Sequence, residues 1–151
     1  MQNDKMEPST PPLQQFLKFY NSLSGNNLTT LWQIYHSDIV FIDPVHRIEG
    51  SEALGDYLSH AYARLNHCQF TAKTQCQQGD VGFISWQMEL AHQAIGQGKM
   101  LQVDGCTELR WHADGRIIFH RDYYDLTDLV YRHVPLLSWM TAQVKRRMAN
   151  V

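Results

Sequence analysis

The stretch LRWHADGRIIFHRDYYD, residues 109–125, contains two runs of alternating apolar and polar side chains joined by Ala113-Asp114-Gly115. Alternation of this kind is typical of a strand, and an Asp-Gly turn joins antiparallel neighbours. The chain from Cys68 onward repeats the pattern, with turns at 78–80 and 96–98. We therefore predict a meander of antiparallel strands at 67–78, 81–93, 99–112 and 116–126.

Helical spacing dominates the chain before this meander. Apolar residues three or four positions apart predict helices from about residue 11, around Trp32 and after Gly50, with a strand at 38–43. A last helical segment is interrupted at Pro135. Helices that are segregated from strands favour an α+β fold, in which the helices cover one face of the sheet. We predict a flexible segment 1–10, one domain at 11–127, and a C-terminal helical extension of that domain at 128–151.

Length and composition limit the possible functions. The 151 residues fit one domain, and a net charge of −2 argues against a nucleic-acid partner. No apolar run reaches the roughly 20 residues that cross a bilayer, and the N-terminus lacks the apolar core of a secretory signal. The cysteines and histidines have no disulfide or metal-ligand spacing, so we expect no metal, no cofactor and a cytoplasmic location.

Asp43 is the first candidate for chemistry. It ends the apolar run 39–42 and precedes Pro44, and strand alternation places it on the face of Ile39 and Phe41. If that face points inward, desolvation raises the pKa of the carboxyl group towards that of a useful general base. The alternative is that the carboxylate accepts backbone hydrogen bonds in an Asp-Pro turn and does no chemistry.

A second cluster of polar residues lies on the last strand. His120, Asp122 and Tyr124 share one face there, whereas Arg121 and Tyr123 share the other. A histidine held by a carboxylate is a workable acid–base unit, and burial requires these groups to pair with each other or with a ligand. The alternative is a solvated outer face with salt bridges between strands.

Two apolar surfaces need a cover. Trp86 and Met88 fall on one face of the strand at 81–93, and as an exposed patch they favour a homodimer through the outer face of the sheet. The C-terminal helix has an apolar stripe and ends in Lys145-Arg146-Arg147. Contact of this helix with an anionic membrane surface is the less favoured alternative to a solvated helix end.

The order of these motifs resembles that of a known superfamily. SDIVFIDPVHRIEGSEALGDYL (37–58) is similar to the strand, Asp-Pro loop and helix of the nuclear transport factor 2-like superfamily, and 109–125 is similar to its last hairpin. The likeness is to the SnoaL-like and ketosteroid-isomerase-like branch and covers most of residues 12–127. It implies a curved, mixed, mainly antiparallel sheet that forms a cone, in which the N-terminal helices enclose a pocket, often as a homodimer.

The resemblance also implies roles for particular residues. Asp43 matches the proton-shuttling base of the isomerases, and Asp122 resembles the acid–base carboxylate of SnoaL-like polyketide cyclases. Thr107 stands where the isomerases have an oxyanion-binding acid, which argues against classical steroid isomerisation. The register places His120 and Tyr124 at the pocket. The implied ligand-binding residues are Tyr20, Phe41, Tyr57, Phe83, Ser85, Gln87, Val103 and Thr107.

These observations lead to two expectations about function. The first is a cofactor-free isomerase or cyclase that moves a proton next to the carbonyl group of a small, largely apolar ligand. Asp43 or Asp122 is then the base, His120 tunes it, and Tyr124 donates to the developing oxyanion. The second is a non-catalytic ligand-binding or dimerisation module with the same fold.

Overall fold

The computed structural model describes residues 12–23 and 30–149. The predicted flexible segment 1–10 lies outside the described residues. The helices of the described part are α1 (Pro12–Ser22), α2 (Leu31–Ile34), α3 (Ser51–Ala63), α4 (Leu126–Leu129) and α5 (Pro135–Ala149). Its strands are β1 (Tyr35–Ile42), β2 (Arg47–Glu49), β3 (Leu65–Gln78), β4 (Val81–His92), β5 (Leu101–Trp111) and β6 (Ile117–Tyr124).

The strands form one six-stranded sheet in the order β2-β1-β6-β5-β4-β3. β1 pairs with β6 in parallel, and every other neighbouring pair is antiparallel. The predicted α+β class with a mixed, mainly antiparallel sheet is therefore confirmed. Gly79 and Gly115 adopt φ values of 59° and 86° in the turns before β4 and β6, a region that favours glycine. These turns keep each meander strand close to its predicted bounds.

The sequence predicts a loop where the short strand β2 lies. β2 pairs with the end of β1, so that Ile48 lies opposite Phe41 and Arg47 lies opposite Ile42. The backbone N–H of Asp43 donates to the carbonyl of His46 at 3.0 Å and closes the turn between the two strands. A strand of three residues is too short to display alternation, so only its pairing with β1 identifies it.

A bulge in β6 decides which of its side chains are buried. Successive residues of β5, 110–111, lie opposite Phe119 and Ile117, so Ile118 has no partner on β5. The extra residue shifts the alternation by one position. Ile117 and His120 are therefore both buried, although strict alternation would place them on opposite faces.

Helices α1 and α3 pack against the sheet and enclose the apolar core. α1 contacts β3 and α3 contacts β1. Phe16 from α1 and Leu54 from α3 belong to one buried cluster with Ile39 from β1 and Ile84 from β4. The face of the sheet that carries this cluster is called the inner face below.

The orientation of β4 corrects the prediction for Trp86 and Met88. Trp86 is 3% exposed and Met88 packs against the buried cluster, whereas Phe83 on the other face is 39% exposed. Ser85 and Gln87 share the face of Phe83, because side chains alternate along a strand. The prediction that these three residues point into the pocket is therefore wrong.

Gly105 accounts for the inward orientation of Trp86. The two residues lie opposite each other in the β4–β5 ladder, and the indole ring covers the site that a Cβ atom of residue 105 would occupy. The indole Nε1 also donates to Thr107 Oγ1 at 2.8 Å. Because Trp86 and Met88 lie inside, they give no support for a homodimer. Pairing of two copies through the outer face stays a prediction.

The C-terminal segment consists of two short helical pieces followed by a longer helix. α4 is followed by a 3₁₀ turn at Tyr131–His133 and then by α5. The break falls before Pro135, as predicted, because proline has no N–H to donate and is tolerated in the first turn of a helix. No helix of the described residues is both long and apolar enough to cross a bilayer.

We predict that Gly105→Ala destabilises the fold by about 1–3 kcal/mol. The added methyl group overlaps the indole ring of Trp86, so the ring must leave its place or the strands must shift. Chemical denaturation of the wild type and the variant measures the loss in free energy of unfolding.

Gly55→Ala is the matched control for this substitution. Its methyl group meets only the side chain of Leu31, at 3.4 Å, and alanine is the better helix former by about 1 kcal/mol. We expect unchanged or higher stability for this variant. A Gly105→Ala variant as stable as the wild type would contradict the close packing of Trp86.

Candidate functional site

A cavity of about 390 Å³ lies between the inner face of the sheet, α3 and α4. Its walls are mainly apolar and include Phe41, Phe70, Trp86, Met88 and Leu90. The polar groups in the lining include Asp43, Tyr57, Asp122 and Tyr124. An apolar cavity with a few convergent polar groups is the usual form of a small-molecule site.

Asp43 lies at the wall of this cavity and is held by its own turn. Its Oδ1 accepts hydrogen bonds from the backbone N–H groups of Val45, at 2.7 Å, and His46, at 2.6 Å. Its Oδ2 accepts one from the hydroxyl of Tyr57, at 2.7 Å. The His46 ring approaches both oxygens, at 3.1 and 3.2 Å. The Asp43 side chain is only 3% exposed, so these donors replace most of the contact of its carboxylate with water.

Two opposing effects act on the pKa of Asp43. Burial of the carboxyl group raises it, but hydrogen bonds from Tyr57, Val45 and His46 favour the charged form and outweigh burial, so the pKa lies below its ordinary value. The prediction that desolvation raises this pKa towards that of a general base is wrong. The backbone hydrogen bonds that the alternative of an Asp-Pro turn requires are present.

A chain of buried hydrogen bonds leads to the second carboxylate. The hydroxyls of Tyr20 and Tyr35 lie 2.8 Å apart. The Tyr35 hydroxyl lies 2.7 Å from His120 Nδ1, and His120 Nε2 lies 2.8 Å from Asp122 Oδ1. His120 has no exposed surface. The predicted pairing of His120 with Asp122 is therefore present on the inner face of β6.

Thr107 on β5 contacts the same carboxylate oxygen, and Trp86 on β4 contacts Thr107. The hydroxyl of Thr107 donates to Asp122 Oδ1 at 2.6 Å and accepts the hydrogen bond from Trp86 Nε1. Both His120 and Thr107 thus contact Oδ1, and Oδ2 takes no part in either bond. Because Asp122 also lines the cavity, its carboxylate is fixed from behind at the cavity wall.

If Asp122 is ionised and the His120 ring is neutral, the direction of every bond in this chain follows. A carboxylate only accepts, so His120 donates from Nε2, and its Nδ1 accepts from the hydroxyl of Tyr35. Tyr35 then accepts from the hydroxyl of Tyr20. Burial raises the pKa of both phenols, and the negative charge of Asp122 raises them further, so they retain their protons. All donors therefore point towards Asp122.

Tyr124 and Tyr57 are two further proton donors at the cavity wall. Burial raises the pKa of Tyr124, and the charges of Asp43 and Asp122 add to this effect. Burial likewise raises the pKa of Tyr57, together with its hydrogen bond to Asp43. Both phenols therefore keep their protons at neutral pH. Tyr124 can donate its proton to a ligand oxygen, whereas Tyr57 already donates its proton to Asp43 and can only accept from a ligand.

Some of the residues predicted for the site line the cavity, and others do not. Those that line the cavity are Tyr20, Phe41, Asp43, Tyr57, Asp122 and Tyr124. His120 and Thr107 are buried behind Asp122 and hold it. Val103 is buried but lies outside the cavity lining, so its predicted ligand contact is wrong, as it is for the outward-facing Phe83, Ser85 and Gln87.

Two residues of this site could not be identified from the sequence. Tyr35 lies at the junction of α2 and β1, where neither helical nor strand spacing indicates which way the side chain points. Trp86 has the spacing of a strand residue, but alternation alone does not tell which face is buried. The hydrogen bonds of Tyr35 with His120 and of Trp86 with Thr107 depend on pairing between distant strands.

One group of described side chains has the residue types of a metal site. Ligand atoms of His36, His112 and Asp114 lie within 4.8 Å of one another. Arg116 Nη2, however, donates to Asp114 Oδ2 at 2.7 Å, and its positive charge opposes a cation there. None of these residues lines the cavity. We therefore assign no metal to this group.

The sequence matches the SnoaL-like domain family over residues 16–120. The match covers more than half of the chain, so the protein belongs to the SnoaL-like domain family. No functionally curated protein matches the chain.

Solved structures share the fold at low sequence identity. A protein from Catenulispora acidiphila with a ketosteroid isomerase-like fold, in complex with trimethylamine, is 18% identical, with a TM-score of 0.68 over 83% of this chain and 93% of its own. A candidate SnoaL-like polyketide cyclase from Jannaschia sp. CCS1 is 16% identical, with a TM-score of 0.67 over 82% and 94%. A nuclear transport factor 2-like protein from Burkholderia pseudomallei is 11% identical, with a TM-score of 0.69 over 83% and 98%. The predicted superfamily is confirmed.

We predict that Asp43→Asn lowers the free energy of unfolding by about 1–2 kcal/mol at neutral pH and that the difference disappears in acid. A carboxyl group with a lowered folded-state pKa stabilises the fold above its ordinary value of 3.8, and this contribution is lost as the pH falls through the folded-state pKa. Denaturation of both proteins from neutral to acidic pH checks this. A constant difference at every pH would contradict the role of the charge, and Asp56→Asn, on the exposed side of α3, is the control.

We predict that Tyr35→Phe destabilises the fold by about 1–3 kcal/mol. The substitution removes the hydroxyl between Tyr20 and His120 and leaves two buried polar atoms without a partner. Tyr123→Phe is the control, since it removes only an exposed 3.2 Å bond to Glu108. Thermal unfolding measures both variants, and equal melting temperatures for them would show that the buried chain is not stabilising.

Proposed function

We propose that this SnoaL-like protein is a cofactor-free isomerase or cyclase. Its ligand is a small, largely apolar carbonyl compound that binds in the cavity between α3, α4 and the inner face of the sheet. The reaction is a proton transfer at the carbon next to the carbonyl group. Asp122 is the base in this proposal.

One observation carries the proposal, namely the fixed position of the Asp122 carboxylate. His120 and Thr107 hold Oδ1 at 2.8 and 2.6 Å, and Tyr35 and Trp86 hold these two in turn. The other oxygen is not used by either bond, and the residue lines an apolar cavity. A carboxylate that is anchored through one oxygen is suited to accept a proton through the other.

The steps follow from the positions of the donors and the acceptor. Asp122 Oδ2 accepts the proton from the carbon next to the carbonyl group, and the electron pair of the broken C–H bond forms an enolate. Tyr124, which keeps its proton, donates a hydrogen bond to the enolate oxygen. The protonated Asp122 returns the proton to another carbon in an isomerisation. In a cyclisation, the enolate carbon attacks a second carbonyl group of the ligand, and the proton goes to the oxygen of that group.

Asp43 has a different part in this proposal. Its lowered pKa and its bonds to the 43–46 turn keep it ionised, so it is a weak base. It instead orients the hydroxyl of Tyr57 at the cavity wall through their 2.7 Å hydrogen bond. The two carboxylates thus differ in function because different partners hold them.

Deuterium exchange from solvent into apolar ketones, beginning with 2-tetralone, tests the proposal by NMR. We expect the wild type to accelerate exchange at the carbon next to the carbonyl group. Asp122→Asn is expected to lower this acceleration by about a hundredfold or more. Asp43→Asn is expected to retain most of it. Asp104→Asn, an exposed carboxylate on β5, is the matched control and is expected to have wild-type rates.

The lowered pKa of Asp43 favours a second function, because it makes Asp43 a weak base and leaves Asp122 as the remaining candidate. In this case the chain is a non-catalytic ligand-binding module. Quenching of tryptophan fluorescence measures ketone binding independently of exchange. Binding that is accompanied by equal exchange rates in the wild type and the Asp122→Asn variant would exclude the catalytic assignment and favour the binding module.

A further inference from the structure

Helix α5 turns its polar side towards the domain and its apolar side towards solvent. Ser138, Thr141 and Ala142 are half-buried, and Lys145 Nζ lies 3.1 Å from Asp125 Oδ2. The exposed apolar residues are Leu136, Leu137, Trp139, Met140, Val144 and Met148. A helix that packs only on its own domain buries its apolar side. The opposite orientation here leaves that side available to something outside the chain.

The exposed apolar residues form a continuous stripe. Leu137, Met140, Val144 and Met148 follow one another at intervals of three and four residues, which places them on one side of the helix. Met148 in this stripe is 73% exposed. Trp139, which lies about 100° around the helix from Met140 and next to Leu136, is 61% exposed. No residue of α5 is buried over its 15 residues. The stripe therefore extends from residue 137 to residue 148, for about 17 Å along the helix.

The charges of α5 are all positive. Its sequence contains no Asp or Glu, and its last turns carry Lys145, Arg146 and Arg147. Lys145 pairs with Asp125, whereas Arg146 and Arg147 form no ion pair with any residue of the described ranges. An exposed apolar stripe with a tryptophan and unpaired arginines is complementary to an anionic lipid surface.

The position of Arg147 argues against a second copy of α5 as the partner. Arg147 follows Val144 by three residues and Met140 by seven, so it projects from the edge of the apolar stripe. In a pair of α5 helices it would meet an apolar surface without an acidic residue to pair with it. At a lipid surface the same side chain can bury its stem and reach a phosphate group.

We propose that α5 docks this protein on the surface of an anionic lipid bilayer. The apolar stripe enters the boundary between headgroups and acyl chains, and Arg147 at its edge contacts a lipid phosphate. Arg146, on the other side of the helix, adds to the attraction of the helix for the anionic surface. The chain as a whole has a net charge of −2, so the attraction comes from this one helix and not from the overall charge.

Co-sedimentation of the full chain with phosphatidylcholine vesicles, with and without phosphatidylglycerol, tests the proposal. We expect binding to the anionic vesicles that weakens as salt is raised, and little binding to the neutral ones. Met140→Glu combined with Val144→Glu is expected to abolish binding. Trp32→Glu, at an exposed aromatic residue on α2, is the control and is expected to bind as the wild type does.

A second pair of variants tests the basic residues. Arg146→Gln combined with Arg147→Gln is expected to lower partitioning onto anionic vesicles by about thirtyfold. Lys18→Gln combined with Arg64→Gln makes the same change in net charge at exposed positions on other elements and is expected to have little effect. Because α5 contributes no buried residue, we expect its variants to keep the wild-type melting temperature.

Two results would overturn the proposal. One is a wild-type chain that does not sediment with anionic vesicles at low salt. The other is a Met140→Glu, Val144→Glu variant that sediments as well as the wild type. A third outcome assigns the stripe to a contact between two copies. In that case the wild type binds no vesicles and is a dimer by light scattering, whereas the Met140→Glu, Val144→Glu variant is a monomer.

Discussion

A carboxylate and an imidazole on the inner face of the sheet, Asp122 and His120, place the strongest constraint on this fold. Burying polar groups without partners costs several kcal/mol, so the surrounding strands must supply hydrogen bonds. Tyr35 does so from β1 and Thr107 from β5. No buried side-chain nitrogen or oxygen of the described residues lacks a partner. The pairing of β6 with β1 and β5 therefore brings together the hydrogen-bond partners of one buried network.

The two carboxylates of the cavity are stabilised in different ways. Asp43 takes its donors from the adjacent turn, so its geometry is nearly complete within a few residues of sequence. Asp122 takes one donor from its own strand, His120, and one from the neighbouring strand β5, Thr107. Tyr35 and Trp86, from more distant parts of the chain, hold these two donors in turn. The first arrangement lowers the pKa of a carboxyl group. The second holds a carboxylate in place while one of its oxygens stays clear of the network.

Much of the fold could be predicted because its signals are local. The meander strands are long and bounded by turn residues, so alternation and glycine positions define them. Alternation also placed His120, Asp122 and Tyr124 on one side of β6, and the resemblance to the superfamily implied that this side faces the pocket. The strand β2 could not be predicted, because three residues carry no period. Nor could the face of β4, because the space for the Trp86 ring is provided by Gly105 on the next strand.

The sequence by itself determined the α+β class, the approximate bounds of the four meander strands and the Asp43 turn, because these depend on neighbours along the chain. Only the tertiary structure decided that Trp86 lies inside, that Tyr35 contacts His120, and that the apolar side of α5 faces solvent. The physical reason is the same for all three. A periodic pattern identifies which residues share a side, but the space and the hydrogen-bond partners that select the buried side come from distant segments.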